Sequence, residues 1–437
     1  MLTAARVPDW WIRRLGQTLV ILLVILAPSL TGLNPAKSLH TRAGMVVAAA
    51  FCLYAFLAAP RRWARQAALA ILAFFSWAAV IDVVSRPLLE RMIYHSAHDR
   101  IIRWWPRMPL VPRYEANAHL RTRTFGDLAA VSGNEVAREY REERFVTDAY
   151  GFRNEATGRP DVILLGDSFG VGTGTSQERT WGTLLASQYG WRLYNLSVGG
   201  AGPWGEYINL SIEIGRLREK DAGAVVLWAL FTGNDLDDAC YGMLSPAELP
   251  WNSGWATFER TWELFRSHSP VRRLVDRTLD PRAASDKVIV RRLPDGRPLL
   301  FSRDYAQRMN RTLEDVVRLP NYACVEAVMG AMNKLAERQR LRVTVLVLPS
   351  KEEVYDRFLD RHRASRVSGF SLAFQDLSRR NGMDFLDLTP YFVEQSQRLL
   401  EESGELLWWR DDSHWNERGH ALAASLVHSR VLARLIR

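Results

Sequence analysis

Beyond Asp148 this 437-residue chain predicts an α/β fold, a parallel sheet with helices on both faces, on three observations. Short continuous apolar runs recur at Val162–Leu165, Leu193–Leu196, Val225–Leu230, Val343–Leu348 and Phe385–Leu388, the pattern of strands buried on both sides. Helical stretches lie between and around them, at Thr180–Tyr189, Tyr207–Lys220, Val325–Gln339 and Val367–Arg380. The first three runs each end in a junction rich in Gly, Asn, Ser or Asp, and a doubly wound sheet gathers its sites at that C-terminal edge.

Taken in chain order, residues 1–86 are a different kind of polymer. Leu15–Leu33, Gly44–Ala59 and Gln66–Val84 are apolar runs approaching the roughly 20 residues that cross a bilayer, which predicts about three membrane spans. Arg6, Arg13 and Arg14 precede the first, and Arg61, Arg62 and Arg65 separate the second from the third. With both clusters on the cytoplasmic side, the chain after the third span lies outside. Residues 87–147 read as a juxtamembrane linker, and residues 148–437 as the α/β domain.

The first strand runs into VILLGDSFGVGTGTS, which presents Ser168 at a strand end before a glycine-rich turn and a helix. A lone Gly-Asp-Ser is ordinary turn chemistry. Its weight comes from three further segments: YNLSVGGAG at Tyr194–Gly202, LFTGND at Leu230–Asp235, and RDDSHWNERG at Arg410–Gly419. A serine hydroxyl needs a neighbouring base, and an imidazole that titrates near neutrality suits that role. Singly, Gly199-Gly200 reads as a hinge, Asn234-Asp235 as a turn and Asp411-Asp412-Ser413 as a helix cap.

Together, in this order, the four segments resemble the SGNH (GDSL-like) hydrolase superfamily. The resemblance covers Asp148 to the C-terminus and implies a three-layer α/β/α, flavodoxin-like domain with a five-stranded parallel sheet. It matches Ser168 to the nucleophile, Gly200 and Asn234 to oxyanion donors beside the Ser168 N–H, and His414 to the base. A carboxylate must orient the imidazole. Asp411 stands where most of the superfamily places it, and Asp412 fits the spacing of the alginate O-acetylation branch; the sequence favours Asp411 and leaves the choice open. LPSKEEVY at Leu348–Tyr355 resembles a post-strand segment of that branch, with Lys351 read as a solvated lysine at a helix start or as facing an anionic substrate group. FVTDAYGFRN at Phe145–Asn154 resembles the lead-in of membrane-anchored envelope members.

Residues 235–318 interrupt the alternation and read as an insertion or lid. Within it KVIVRRLPDGRPLLF, at Lys287–Phe301, carries the Asp-Gly signal of a hairpin. Cys52 falls in a predicted span, so in an oxidising compartment Cys240 and Cys324 are the pair able to bridge the ends of the insertion. For the tryptophan pairs Trp104-Trp105 and Trp408-Trp409, core packing is favoured over interfacial anchoring or sugar stacking.

The net charge of +9 raises nucleic acid as a partner, but only five of the 57 basic residues are lysines and no aromatic-basic stripe appears. The sequence reading is therefore a multi-pass protein of a bacterial inner membrane, its enzymatic domain periplasmic. The resemblance implies an esterase or O-acetyltransferase acting on O-acyl, chiefly acetyl, groups of envelope or exported polysaccharide. The implied partners are an acylated carbohydrate or other ester, the lipid bilayer and other polysaccharide-export or acylation membrane proteins. Neither nucleic acid, metal nor organic cofactor is called for. A non-catalytic polysaccharide-binding scaffold in an envelope assembly complex is the alternative.

Overall fold

A computed structural model describes residues 101–105, 108–155, 158–217, 224–240, 286–360 and 367–434. The expected spans lie outside these residues, as do residues 241–285 of the insertion. Among the described residues no helix is long and apolar enough to cross a membrane.

The chain enters through a hairpin of β1 (Ile102–Trp105) and β2 (Met108–Tyr114), then β3 (His119–Thr124), α1 (Asp127–Ser132) and β4 (Arg141–Val146). The alternating domain follows with β5 (Val162–Leu165), α2 (Ser168–Val171), α3 (Trp181–Tyr189), β6 (Leu193–Asn195), α4 (Pro203–Leu217) and β7 (Ala224–Phe231). A second hairpin, β8 (Val288–Arg292) and β9 (Pro298–Ser302), leads to α5 (Arg303–Arg308), α6 (Leu313–Val317) and α7 (Tyr322–Gln339). The remainder is β10 (Leu341–Leu348), α8 (Lys351–Val354), α9 (Gly369–Arg380), β11 (Asp384–Asp387), α10 (Thr389–Ser403) and α11 (Glu417–Arg430).

The five strands predicted from apolar runs form one sheet in the order β11-β10-β7-β5-β6, every neighbour parallel. Because side chains alternate along a strand, each strand feeds two cores. Ile163, Leu165, Val226, Trp228, Val345 and Val347 pack with Leu210, Val328 and Phe374 of α4, α7 and α9. Val162, Leu164, Leu227, Ala229, Leu346 and Leu348 pack with Trp181, Phe392 and Val427 of α3, α10 and α11. That division makes three layers, α/β/α.

Of the segment expected as a linker, residues 87–147, the described part packs against the α/β domain. Thr147 N–H bonds the Ala118 carbonyl at 2.9 Å, Tyr114 N–H bonds that of Gly151 at 3.0 Å, and Phe145 is wholly buried in the α4 core. The segment has a strand pair and a helix of its own, β3–β4 and α1, and these belong to the same compact unit as the sheet. The reason is physical: Tyr114, Phe125 and Phe145 find burial that a solvated linker does not provide.

Within the insertion the β8–β9 hairpin forms as the Asp-Gly signal predicts, with Val290 opposite Leu300 and Gly296 at φ 84° in its turn. Its inner strand is structural, since Leu299, Leu300 and Phe301 are fully buried and Leu300 N–H bonds the Arg410 carbonyl at 2.9 Å. Cys240, beyond β7, and Cys324, in the first turn of α7, form a disulfide that ties together the two ends of the insertion.

Candidate active site

Three site loops follow three adjacent strands, β6, β5 and β7, so parallel topology alone brings them to one edge. Close approaches lock them there. A Cβ on Gly170 would meet Ser197 Oγ at 2.3 Å, and one on Gly202 would meet the Asp238 carbonyl oxygen at 2.3 Å. The Phe145–Asn154 lead-in braces the same edge. Asn154 clamps Asn195 in both directions, accepting its N–H at 2.8 Å and donating to its carbonyl at 3.0 Å. The buried guanidinium of Arg153 donates to the carbonyls of Val171, Gly172 and Thr175 in the turn after Ser168.

Ser168 opens α2. Asp167 caps that helix by accepting the Phe169 N–H at 2.8 Å. Ser168 Oγ lies 2.8 Å from His414 Nε2, and His414 Nδ1 lies 2.8 Å from Asp412 Oδ1. Asp412 Oδ1 also accepts the His414 backbone N–H at 3.1 Å, which fixes the ring's own turn. A hydroxyl, an imidazole and a carboxylate in this chain can move the serine proton onto His414 while the carboxylate holds the tautomer.

The sequence favoured Asp411 behind the histidine, and the structure places Asp412 there. Asp411 faces the other way. Its Oδ2 accepts the N–H groups of Gly126 and Glu139 at 2.7 and 2.8 Å, and its carbonyl accepts that of Ala129 at 3.1 Å. Asp411 thus satisfies the Gly126 and Ala129 donors at the start of α1, a helix whose own cap, Gly126, has no side chain. Arg141 of β4 spans both carboxylates, pairing with Asp411 Oδ1 at 2.9 Å and with Asp412 Oδ2. Its bidentate fork sets the two acids in opposite roles.

Electrostatics follow from that packing. Burial disfavours the charged imidazole of His414, but Asp412, with Asp127 and Asp167 behind it, outweighs burial and pushes the pKa up to about 9. Asp412 is held well below the usual carboxylate range: burial opposes its charge, and the charges of Arg141 and His414 prevail. Burial is the main cause that pushes Asp167 up to about 6, against the Phe169 N–H bond and His414.

Gly200 sits at φ 73°, where a side chain is strained, and a Cβ there would point into open space. Asn234 donates one amide hydrogen to Asp238 Oδ2 at 2.7 Å, which fixes the side chain and leaves its second N–H to serve a ligand. Lys351, read as a solvated lysine or a substrate contact, is neither: it is fully buried and its ammonium donates to the Trp409, Arg410 and Asp412 carbonyls. Trp408 is core, its indole N–H bonded to the Ser413 carbonyl at 3.0 Å. Arg141, Asp127 and Asp238 had no signal in the sequence, since each acts through a partner distant in the chain or through a turn unreadable before folding.

The fold and this edge define an α/β domain of the SGNH hydrolase-like class. Residues 303–436 match the family model described as SGNH hydrolase-like domain, acetyltransferase AlgX. Over that span the chain is similar to the SGNH hydrolase-like domain of alginate O-acetylation proteins. The matched span holds Lys351, Asp412 and His414, and Ser168 precedes it. No curated protein matches the chain. Among solved structures, the acetyl xylan esterase AlAXEase is 15% identical with a TM-score of 0.34, the alignment covering 62% of this chain and 98% of that one. The acetyl xylan esterase Est2A from Butyrivibrio proteoclasticus is 10% identical with a TM-score of 0.30, covering 68% of each chain.

Proposed function

We propose that this protein is a membrane-anchored serine esterase or O-acetyltransferase acting on acetyl esters of envelope or exported polysaccharide. The observation that carries the reading is the unbroken hydrogen-bonded chain from Ser168 through His414 to Asp412. In the proposed reaction His414 Nε2 takes the Ser168 proton as Oγ attacks the acyl carbon. The tetrahedral oxyanion is met by the N–H groups of Ser168 and Gly200 and by the free amide N–H of Asn234. Collapse expels the alcohol, which takes the proton back from His414 and leaves an acyl-serine. Water resolves that intermediate in an esterase, and a sugar hydroxyl does so in a transferase, His414 serving as base again.

Three features support placing this domain outside a bacterial inner membrane: the apolar runs before residue 86, the arginines around them, and the Cys240–Cys324 disulfide, which persists in oxidising compartments. The alginate O-acetylation similarity supports a carbohydrate acceptor and neighbouring acylation proteins as partners. The test is turnover of a small chromogenic acetyl ester by the full chain and by Ser168→Ala, with and without glycan acceptors. Turnover lost in Ser168→Ala supports the reading, and turnover that survives the substitution contradicts it. Acetylated glycan accumulating at the expense of free acetate marks transfer.

A further inference from the structure

Three backbone carbonyls of one loop, those of Trp409, Arg410 and Asp412, point to a single interior spot, and Lys351 Nζ occupies it at 2.8, 2.9 and 3.0 Å. An ammonium has three donors and no acceptor, so all of its hydrogen-bonding capacity goes to this loop. Without a cation the three oxygens would face one another in a site closed to water, where unpaired acceptors are strongly disfavoured.

The helix that Lys351 opens is fastened through its N-cap, Ser350, to a second site loop. Ser350 N–H bonds Thr232 Oγ1 at 3.1 Å, Thr232 Oγ1 donates to Glu353, and Thr232 stands two residues before Asn234. Ser350 and Glu353 close a capping box around the same turn. Phe301 lies 5.7 Å from the ammonium; burial pushes the Lys351 pKa down to about 8, and Glu352, Asp411, Asp412 and Asp127 oppose that shift.

We infer that Lys351 is a positioning residue of the acyl-transfer site, holding the 409–412 backbone so that Asp412 rather than Asp411 faces His414. Asp412 is thereby gripped twice, by Arg141 on its carboxylate and by Lys351 on its carbonyl. The inference rests on the proposed roles of Ser168, His414 and Asp412, and it concerns a residue that touches neither substrate nor the reacting atoms.

The test compares the full chain with Lys351→Met, of similar length but without charge, and with Lys351→Arg. His414 is followed by ring NMR, its signal identified by loss in His414→Gln, and turnover is measured on a chromogenic acetyl ester. In folded Lys351→Met the His414 titration is expected to move from about 9 toward its ordinary value of about 6.5, with kcat falling about 100-fold and KM little changed. Lys351→Arg is expected to recover part of both. An unaltered His414 titration and kcat in folded Lys351→Met overturns the inference.

Should Lys351→Met not fold, the native chain decides. A Lys351 ammonium signal protected from exchange and coupled to the three carbonyls supports the inference, and its absence overturns it. A shifted His414 titration in a protein that turns over no ester would keep Lys351 as the positioning residue and remove the ester chemistry instead.

Discussion

His414 Nε2 stands 2.8 Å from Ser168 Oγ across a sequence separation of 246 residues. Two parts of the fold meet in that distance: the β5 edge that presents the serine, and the 408–415 loop that closes on it through the Trp408–Trp415 bridge. The loop is positioned by contacts from three directions: Arg141 from β4, Leu300 from the hairpin, and Lys351 from α8. The site is therefore exposed to changes well outside its motifs.

The two adjacent carboxylates separate cleanly by substitution. Asp412→Asn is expected to lower kcat by about 10⁴, because an amide behind His414 favours the wrong tautomer. Asp411→Asn is expected to retain most activity and lose about 1–3 kcal/mol of stability, as the Arg141 pair and the α1 contacts weaken. Ester kinetics and chemical denaturation of both variants check this, and the reverse ranking of kcat would reassign the orienting acid.

The pH profile has a definite sign. His414 must be neutral to accept the Ser168 proton, and its pKa is pushed up to about 9, so kcat/KM is expected to rise with pH and level off near that value. At pH 7 only about one site in a hundred holds a neutral imidazole in the free enzyme. Stability runs the opposite way. A pKa raised above the ordinary 6.5 means that the folded state binds the proton more tightly. The stabilisation is then complete below about pH 6.5 and disappears as pH rises through about 9. The difference in unfolding free energy between the native chain and His414→Gln, followed across that window, isolates the contribution from other groups.

Asn234 tests the oxyanion site. Asn234→Ala is expected to cost about 3 kcal/mol of transition-state stabilisation, seen mainly in kcat. Asp238→Ala is expected to give a smaller loss of the same kind, since Asp238 touches Asn234 Nδ2 at 2.7 Å and fixes the direction of its second N–H. Equal kcat in the native chain and Asn234→Ala would remove the amide from the reaction.

The Cys240–Cys324 disulfide closes a loop of 84 residues. Chain entropy assigns such a closure about 4.5 kcal/mol, so Cys240→Ser is expected to lower the denaturation midpoint markedly. Ester turnover at low temperature should change far less, because neither sulfur belongs to the Ser168–His414–Asp412 chain. Guanidinium titration of the two proteins, with turnover measured in parallel, checks both halves.

Much of this was readable in sequence, for a physical reason. Strands buried on both faces are spelled as apolar runs, so Val162–Leu165 and Val343–Leu348 announce themselves, and the residues that follow fall at the sheet edge without further information. The choice between Asp411 and Asp412 was not readable, because neighbouring acids differ only in which way the turn throws their side chains. That is decided by Gly126, Arg141 and Lys351, which lie 285, 270 and 61 residues from the acids they hold. Lys351 itself looked like a solvated helix start because nothing local marks a lysine that three distant carbonyls will surround. The segment before Asp148 looked like a linker because its short strands are polar on one face, and only the fold supplies the core that receives Phe145.

The central claim is that Ser168 carries the acyl group. Intact-protein mass spectrometry of the full chain quenched during turnover of an activated acetyl ester, followed by peptide mapping, tests it directly. The account predicts one acetyl group on Ser168, accumulating in Asn234→Ala no faster than in the native chain and absent from Ser168→Ala. Turnover with no adduct on Ser168, or with the adduct on another residue, would contradict it.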